Sequence, residues 1–336
     1  MDLYSIPGDT GGDWRLNKFV EYQHEVPSIH YRVLGEYIKK YVTDRDDAVM
    51  MCWYMSATYN EVTCILLQEL FDWRSVTSKT VSQYCERFWK QYKNSLEFGS
   101  ARKYAKNMDW FPVLMEDFIR RTHKHPYRWL CKISKDLQPP QAYRALFLAI
   151  SKQRFTGRFS AELFMESVLY LQDYFNLSYK EPSKLDWEKC SNLTSGLLNI
   201  FYEDEAANEF DKSGKLVFSS EELTQMLKKV QKQIHKVYPK QQDDINLFVG
   251  KLCSFRNLFK ESRYGGFHHD RELGWLNQYK QIFPQYSKLW YRVFKLRKEM
   301  FDERFLGELH DWEGIRPERK KLWLRKGLTG VEKNAC

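Results

Sequence analysis

The chain has 336 residues, 43% of them hydrophobic, 29% charged and 16% aromatic, so it has material for one large domain or two ordinary ones and is not a disordered chain. Its formal net charge of +9 favours a polyanionic partner, nucleic acid first, and its 11 Trp and 21 Tyr supply surfaces on which unpaired bases could stack. Seven cysteines without a CxxC pair exclude a disulfide framework and a zinc finger; with an N-terminus unlike a signal peptide and no apolar run of about 18 residues, the expectation is reduced thiols, no membrane span and a cytoplasmic setting.

Gly (16) and Pro (10) punctuate the chain sparsely, and the segments between them have helical periodicity. Residues 47–72 (DAVMMCWYMSATYNEVTCILLQELFD) are apolar all round and predict one central buried helix, interrupted by Tyr59, Asn60 and Glu61. Polar groups on such a helix are either satisfied within the core or face a cavity, which makes Tyr59 and Asn60 candidate pocket residues. An amphipathic helix is expected over 76–93. Another over 102–122 begins with Arg102, Lys103 and Lys106, candidate DNA contacts. The Gln-Pro-Pro at 138–140 and Glu181-Pro182-Ser183 break the chain. Residues 203–240 turn acidic and then lysine-rich, with a capping box at Ser219 and Glu222. Strand signals are scarce, LVFSS at 216–220 being the best. The expected fold is all-α: a helical lobe over 1–202, an insertion or hinge over 203–240 and a C-terminal helical lobe with a basic, aromatic surface over 241–336.

Three stretches carry chemistry. In RFTGRFSAELFMESV (154–168) a turn with Gly157 leads into a helix from about Ser160, as in a helix-hairpin-helix, where turn amides and a helix N-terminus grip a DNA phosphate. Arg154 and Arg158 suit that use, although a plain packing element reads the same way. Gly157-Arg158-Phe159-Ser160-Ala161 resembles the second half of the motif in helix-hairpin-helix DNA glycosylases. Phe159 stands where bifunctional members carry a catalytic lysine, and neither Asp173 nor Asp186 lies at that family's aspartate distance. In FRNLFKESRYGGFHHDRELGWL (255–276), Arg256, Lys260, Arg263 and Arg271 surround a Gly265-Gly266 turn suited to phosphate, followed by His268, His269, Asp270 and Glu272 as candidate bases. The spacing matches no metal motif, so no metal is expected; an exposed turn with incidental ion pairs is the plainer alternative. In LGELHDWEGIRPERKKLWLRKG (306–327), Arg316, Arg319 and Lys320 interleave with Trp312 and Trp323, as a nucleic-acid surface would.

Together with YMSATYNEVTCILLQELF (54–71) and FGSARKYAK (98–106), these blocks resemble the phage amino acid:DNA transferases and the related α-glutamyl/putrescinyl-thymine pyrophosphorylases. The resemblance implies a helical fold related to helix-hairpin-helix DNA glycosylases and a role in DNA hypermodification inside an infected bacterial cell. In that chemistry an upstream DNA kinase activates 5-hydroxymethyluracil as a pyrophosphoryl ester, and the transferase replaces pyrophosphate with an amino acid or amine. No cofactor is required, though Mg²⁺ could assist the leaving group. On this reading Asp270, His268 or Glu272 takes the proton of the attacking amine. Arg263 and Arg271 receive the pyrophosphate, and Arg256 or Arg158 holds an amino acid carboxylate. The base is flipped out of double-stranded DNA against Tyr59, Tyr264 or Trp312. A helix-hairpin-helix DNA glycosylase or lyase and a non-catalytic DNA-binding protein are the competing expectations.

Overall fold

The computed structural model describes residues 14–25, 32–99, 106, 109–180, 196–198, 200–201, 218–239, 252, 255 and 267–301. The described residues form α-helices with one short 3₁₀ turn at Pro284–Tyr286 and no strand, so the fold is all-α as the periodicity predicts. In chain order the helices are α1 (Trp14–Glu25), α2 (Arg32–Tyr41), α3 (Arg45–Thr58), α4 (Glu61–Leu70), α5 (Val81–Tyr92) and α6 (Phe111–Arg121). They continue with α7 (Pro126–Ser134), α8 (Pro139–Ser151), α9 (Arg158–Tyr170), α10 (Gln172–Phe175), α11 (Ser220–Val237), α12 (Phe267–Ile282) and α13 (Ser287–Met300).

The chain divides into two compact units, both discontinuous in sequence. One comprises Met1–Ser28, Ser183–Arg271 and Glu308–Cys336; the other comprises Ile29–Pro182 and Glu272–Gly307. In the first, α1 packs on α11, and Phe255 meets Phe19 edge-on at 5.1 Å. The capping box expected at the start of α11 forms as read: the Glu222 N–H donates to Ser219 Oγ at 3.2 Å, and the Ser219 N–H donates to Glu222 Oε2 at 2.7 Å. Phe218 to Ser220, the described part of LVFSS, run into this helix and not along a strand.

The second unit is built around α3. Every residue from Ala48 to Thr58 is buried, and the helix packs against α4, α7 and α9. Asp44 caps it, accepting from the Asp46 and Asp47 amides at 2.8 and 3.0 Å. Trp53 anchors the interior: its ring stacks on Phe118 at 5.0 Å, and its indole N–H donates to Gln153 Oε1 at 2.9 Å. The single helix expected over 47–72 is two. Tyr59 adopts the left-handed conformation (φ 53°, ψ 41°) and closes α3, and Asn60 opens α4. The polar interruption in the apolar run is therefore a turn between helices. Of the helix expected over 102–122, Lys106 is helical, Asp109 turns the chain with φ 55°, and α6 runs from Phe111 with Pro112 in its first turn, where its missing N–H costs nothing.

α2 and α9 approach closely at Gly35, where an added Cβ would sit 2.2 Å from Tyr170 Cδ1. The Tyr170 hydroxyl donates to Glu36 Oε1 at 2.7 Å, so its ring cannot swing away freely. Gly35→Ala is expected to destabilise this unit by about 1–3 kcal/mol through overpacking, read as a lower urea midpoint at unchanged slope.

Candidate functional site

The turn between α3 and α4 organises a polar centre inside the second unit. Asn60 Oδ1 accepts from the Thr63 N–H at 3.0 Å, and Asn60 Nδ2 donates to the Glu97 carbonyl at 2.9 Å. Thr63 Oγ1 donates to the same carbonyl at 2.6 Å. Its one proton being used there, Thr63 Oγ1 accepts from the Tyr279 hydroxyl at 2.7 Å, and that hydroxyl accepts from the Glu97 N–H at 2.6 Å. Gly99 closes the strap: its N–H donates to the Thr58 carbonyl at 2.9 Å, and a Cβ there would sit 2.3 Å from the Tyr59 carbonyl. Lys106 donates to the Leu96 carbonyl and lies 3.8 Å from Glu97 Oε1. The network fixes α4, α12 and the strap 96–99 to one another.

Into this frame the sequence places three charges. Glu61, the first residue of α4, is fully buried; Glu272 of α12 is 2% exposed and Arg297 of α13 is 1% exposed. Burial pushes the Glu61 carboxyl well above its ordinary range, the Glu272 carboxylate pushes it further, and the Arg297 guanidinium opposes both. The Leu34 backbone amide also favours the ionised form, although neither Glu61 oxygen reaches hydrogen-bond geometry with a described residue. Burial likewise lowers Arg297, and the two carboxylates pull it back up. One turn along α4, the Cys64 thiol is pushed up by burial, with Glu61 and Glu272 adding to the shift. Two carboxyl groups that share the influence of one guanidinium in a dry interior cannot both ionise cheaply, and burial together with the Glu272 charge favours the protonated form of Glu61. A buried carboxyl that favours its proton is a group acid–base chemistry can use, and a structural ion-pair network shifts a carboxyl in the same way.

Of the residues singled out from sequence, Glu272 lies in this centre and Asn60 in its frame. Tyr59 is 9% exposed and meets Phe159 edge-on at 5.2 Å. His269 and Arg271 are buried, at 1% and 7% exposure. RYGGFHHDRE divides: from Phe267 onward it is the first turns of α12, with His268 one turn before Glu272. His268 and Asp270 belong to α12, and Arg158 opens α9, but their side chains lie outside the described residues. So do Arg256, Arg263, Tyr264, Arg102, Lys103, Arg316, Arg319 and Lys320. Arg154 is exposed on the turn before α9. Helix α8, the turn 152–157 and α9 form the helix–turn–helix read at 154–168, with α9 starting at Arg158, two residues before Ser160. Gly157 caps α9 with φ −80°, and a Cβ there would meet nothing within 4 Å. Its lack of a side chain serves no internal contact; it leaves the backbone open to close approach.

Sequence reading passed over Glu61 as a break in a helix, and Arg297 altogether. Among the described residues no group of three or more His, Cys, Asp or Glu is placed to hold a metal ion, and no helix is long and apolar enough to cross a membrane. No family model, curated protein or solved structure matches the chain.

Proposed function

We propose that the protein is a DNA-modifying transferase. It replaces the pyrophosphate of an activated 5-hydroxymethyluracil in DNA with an amino acid or amine. The observation that most supports this reading is the Glu61–Glu272–Arg297 centre, where burial and a neighbouring carboxylate favour a protonated carboxyl next to a guanidinium, the kind of perturbed group that acid–base catalysis uses. In the proposed step the amine nitrogen attacks the 5-methylene carbon as the carbon–oxygen bond to pyrophosphate breaks. Pyrophosphate leaves with the electron pair, and the nitrogen gives up a proton. On this reading Glu272 is the acceptor of that proton, its carboxylate favoured by the Arg297 guanidinium, and Glu61 is the carboxyl that favours its proton. The open turn at Gly157, with Arg154 beside it, is the corresponding candidate for holding the DNA backbone.

The test is incubation of the protein with DNA carrying 5-hydroxymethyluracil, a 5-hydroxymethyluracil DNA kinase, ATP and a pool of amino acids and amines, followed by nucleoside mass spectrometry. A thymidine adduct matching one amino acid or amine is the expected result. Abasic sites would replace the reading with a glycosylase. Unchanged phosphorylated nucleoside with the DNA still bound would replace it with a non-catalytic binder.

A further inference from the structure

The turn between α8 and α9 presents an aromatic side chain in a manner that internal packing does not require. Phe155 is 46% exposed and has φ 54°, a left-handed backbone conformation that costs a non-glycine residue free energy. The turn is not loose. Gln153, 3% exposed, donates to the Leu114 carbonyl at 2.9 Å and accepts from the Trp53 indole. Arg121 Nη2 donates to the Lys152 carbonyl at 3.0 Å. Asp117 Oδ2 accepts from Arg121 Nε at 2.7 Å and from the Arg154 N–H at 3.4 Å. One face of the Phe155 ring lies on Trp110, centroids 4.3 Å apart and planes 13° from parallel. The ring is thus backed by a second ring and held on a clamped turn while much of its surface meets water. Exposed Leu148 lies near the end of α8, and exposed Arg144, Lys152 and Arg154 stand in the same stretch of chain, Lys152 and Arg154 on the turn that carries Phe155. The nearest acids on α6, Glu116 and Asp117, are already paired with Arg120 and Arg121.

We propose that Phe155, backed by Trp110, is a base-stacking wedge for nucleic acid. Its exposed ring takes the π-face of an unpaired or unstacked base, and Lys152 and Arg154 hold the flanking phosphates. The cationic surround selects a polyanion, and a rigid two-ring platform matches a nucleobase better than an irregular protein surface. The wedge rests on the proposed function only in requiring a nucleic-acid partner; it does not need the transfer chemistry.

The test measures affinity for two duplexes of equal length, one fully paired and one with a single unpaired thymine, using wild type, Phe155→Ala, Phe155→Trp and Lys152→Gln. Phe155→Ala is expected to weaken binding to the unpaired-base duplex about 10-fold or more while changing the fully paired duplex less than about twofold. Phe155→Trp should retain the preference, which separates stacking from a folding defect. Lys152→Gln should weaken both duplexes alike and lower the salt slope by about one. Equal binding of both duplexes by wild type and Phe155→Ala would overturn the wedge and leave the transferase reading standing. No binding of DNA by wild type would overturn both. Loss of self-association in Phe155→Ala, with DNA binding unchanged, would overturn the wedge in favour of contact between copies of this chain.

Discussion

Glu272→Gln is expected to lower adduct formation by about two orders of magnitude or more while leaving DNA affinity within about twofold of wild type. Glutamine keeps the shape of the side chain and removes its ability to accept a proton. The fold should tolerate the change, because the Glu61 carboxyl remains to take up the negative charge that Glu272 gave up. The substitution also removes the like charge that helps hold the proton on Glu61, so Glu61 ionises more readily in the variant. Single-turnover rates over a pH series separate base catalysis from positioning. A residue that only positions substrate would lower the rate by the same factor at every pH; loss of the base would flatten the limb on which the rate rises with pH. Asp270→Asn in the same assay tests the other carboxyl that the sequence offered. Full activity in Glu272→Gln together with a large loss in Asp270→Asn would move the base to Asp270.

The helical class was legible because the apolar runs have helical period and few breakers. The capping box at Ser219 and Glu222 was legible because its two side chains satisfy neighbouring amides, a purely local matter. The break at Tyr59 and Asn60 was visible as polarity but not as geometry. A left-handed tyrosine has no sequence mark of its own, and the strap that makes Asn60 worth burying arrives from Glu97 to Gly99, about forty residues on. Glu272 was picked for its neighbours in a dense motif, whereas its position on the stripe His269, Glu272, Leu273, Leu276, Tyr279 is what buries it. Arg297 hid in a run of charges. The same spacing rule would have found it, since Leu289, Trp290, Val293 and Leu296 continue to Arg297 on the buried face of α13. That Glu61, Glu272 and Arg297 act on one another electrostatically depends on three helices far apart in sequence, which no local pattern encodes.

Arg297→Met is expected to destabilise the protein by about 3–5 kcal/mol at neutral pH, because it removes a buried guanidinium whose charge favours the ionised forms of Glu61 and Glu272. The loss should shrink toward acid pH, where protons neutralise what the guanidinium no longer does. The sign for wild type follows from Glu61. Its carboxyl is raised in the folded protein above its ordinary value of 4.5. Above that pH the folded chain therefore binds more protons than the unfolded one, and this group's contribution to stability declines as pH rises through the window between the two values. Glu61→Gln should abolish that decline and gain most, relative to wild type, at the alkaline end. Adding Glu61→Gln and Glu272→Gln to Arg297→Met should recover most of the lost stability, since a neutral centre of similar volume carries no buried charge. Urea denaturation of these variants at acid and neutral pH reads all three effects. An Arg297→Met protein within about 1 kcal/mol of wild type at both pH values would mean that the guanidinium does not balance the two carboxyls, and the proton assignment to Glu61 and Glu272 would fall with it.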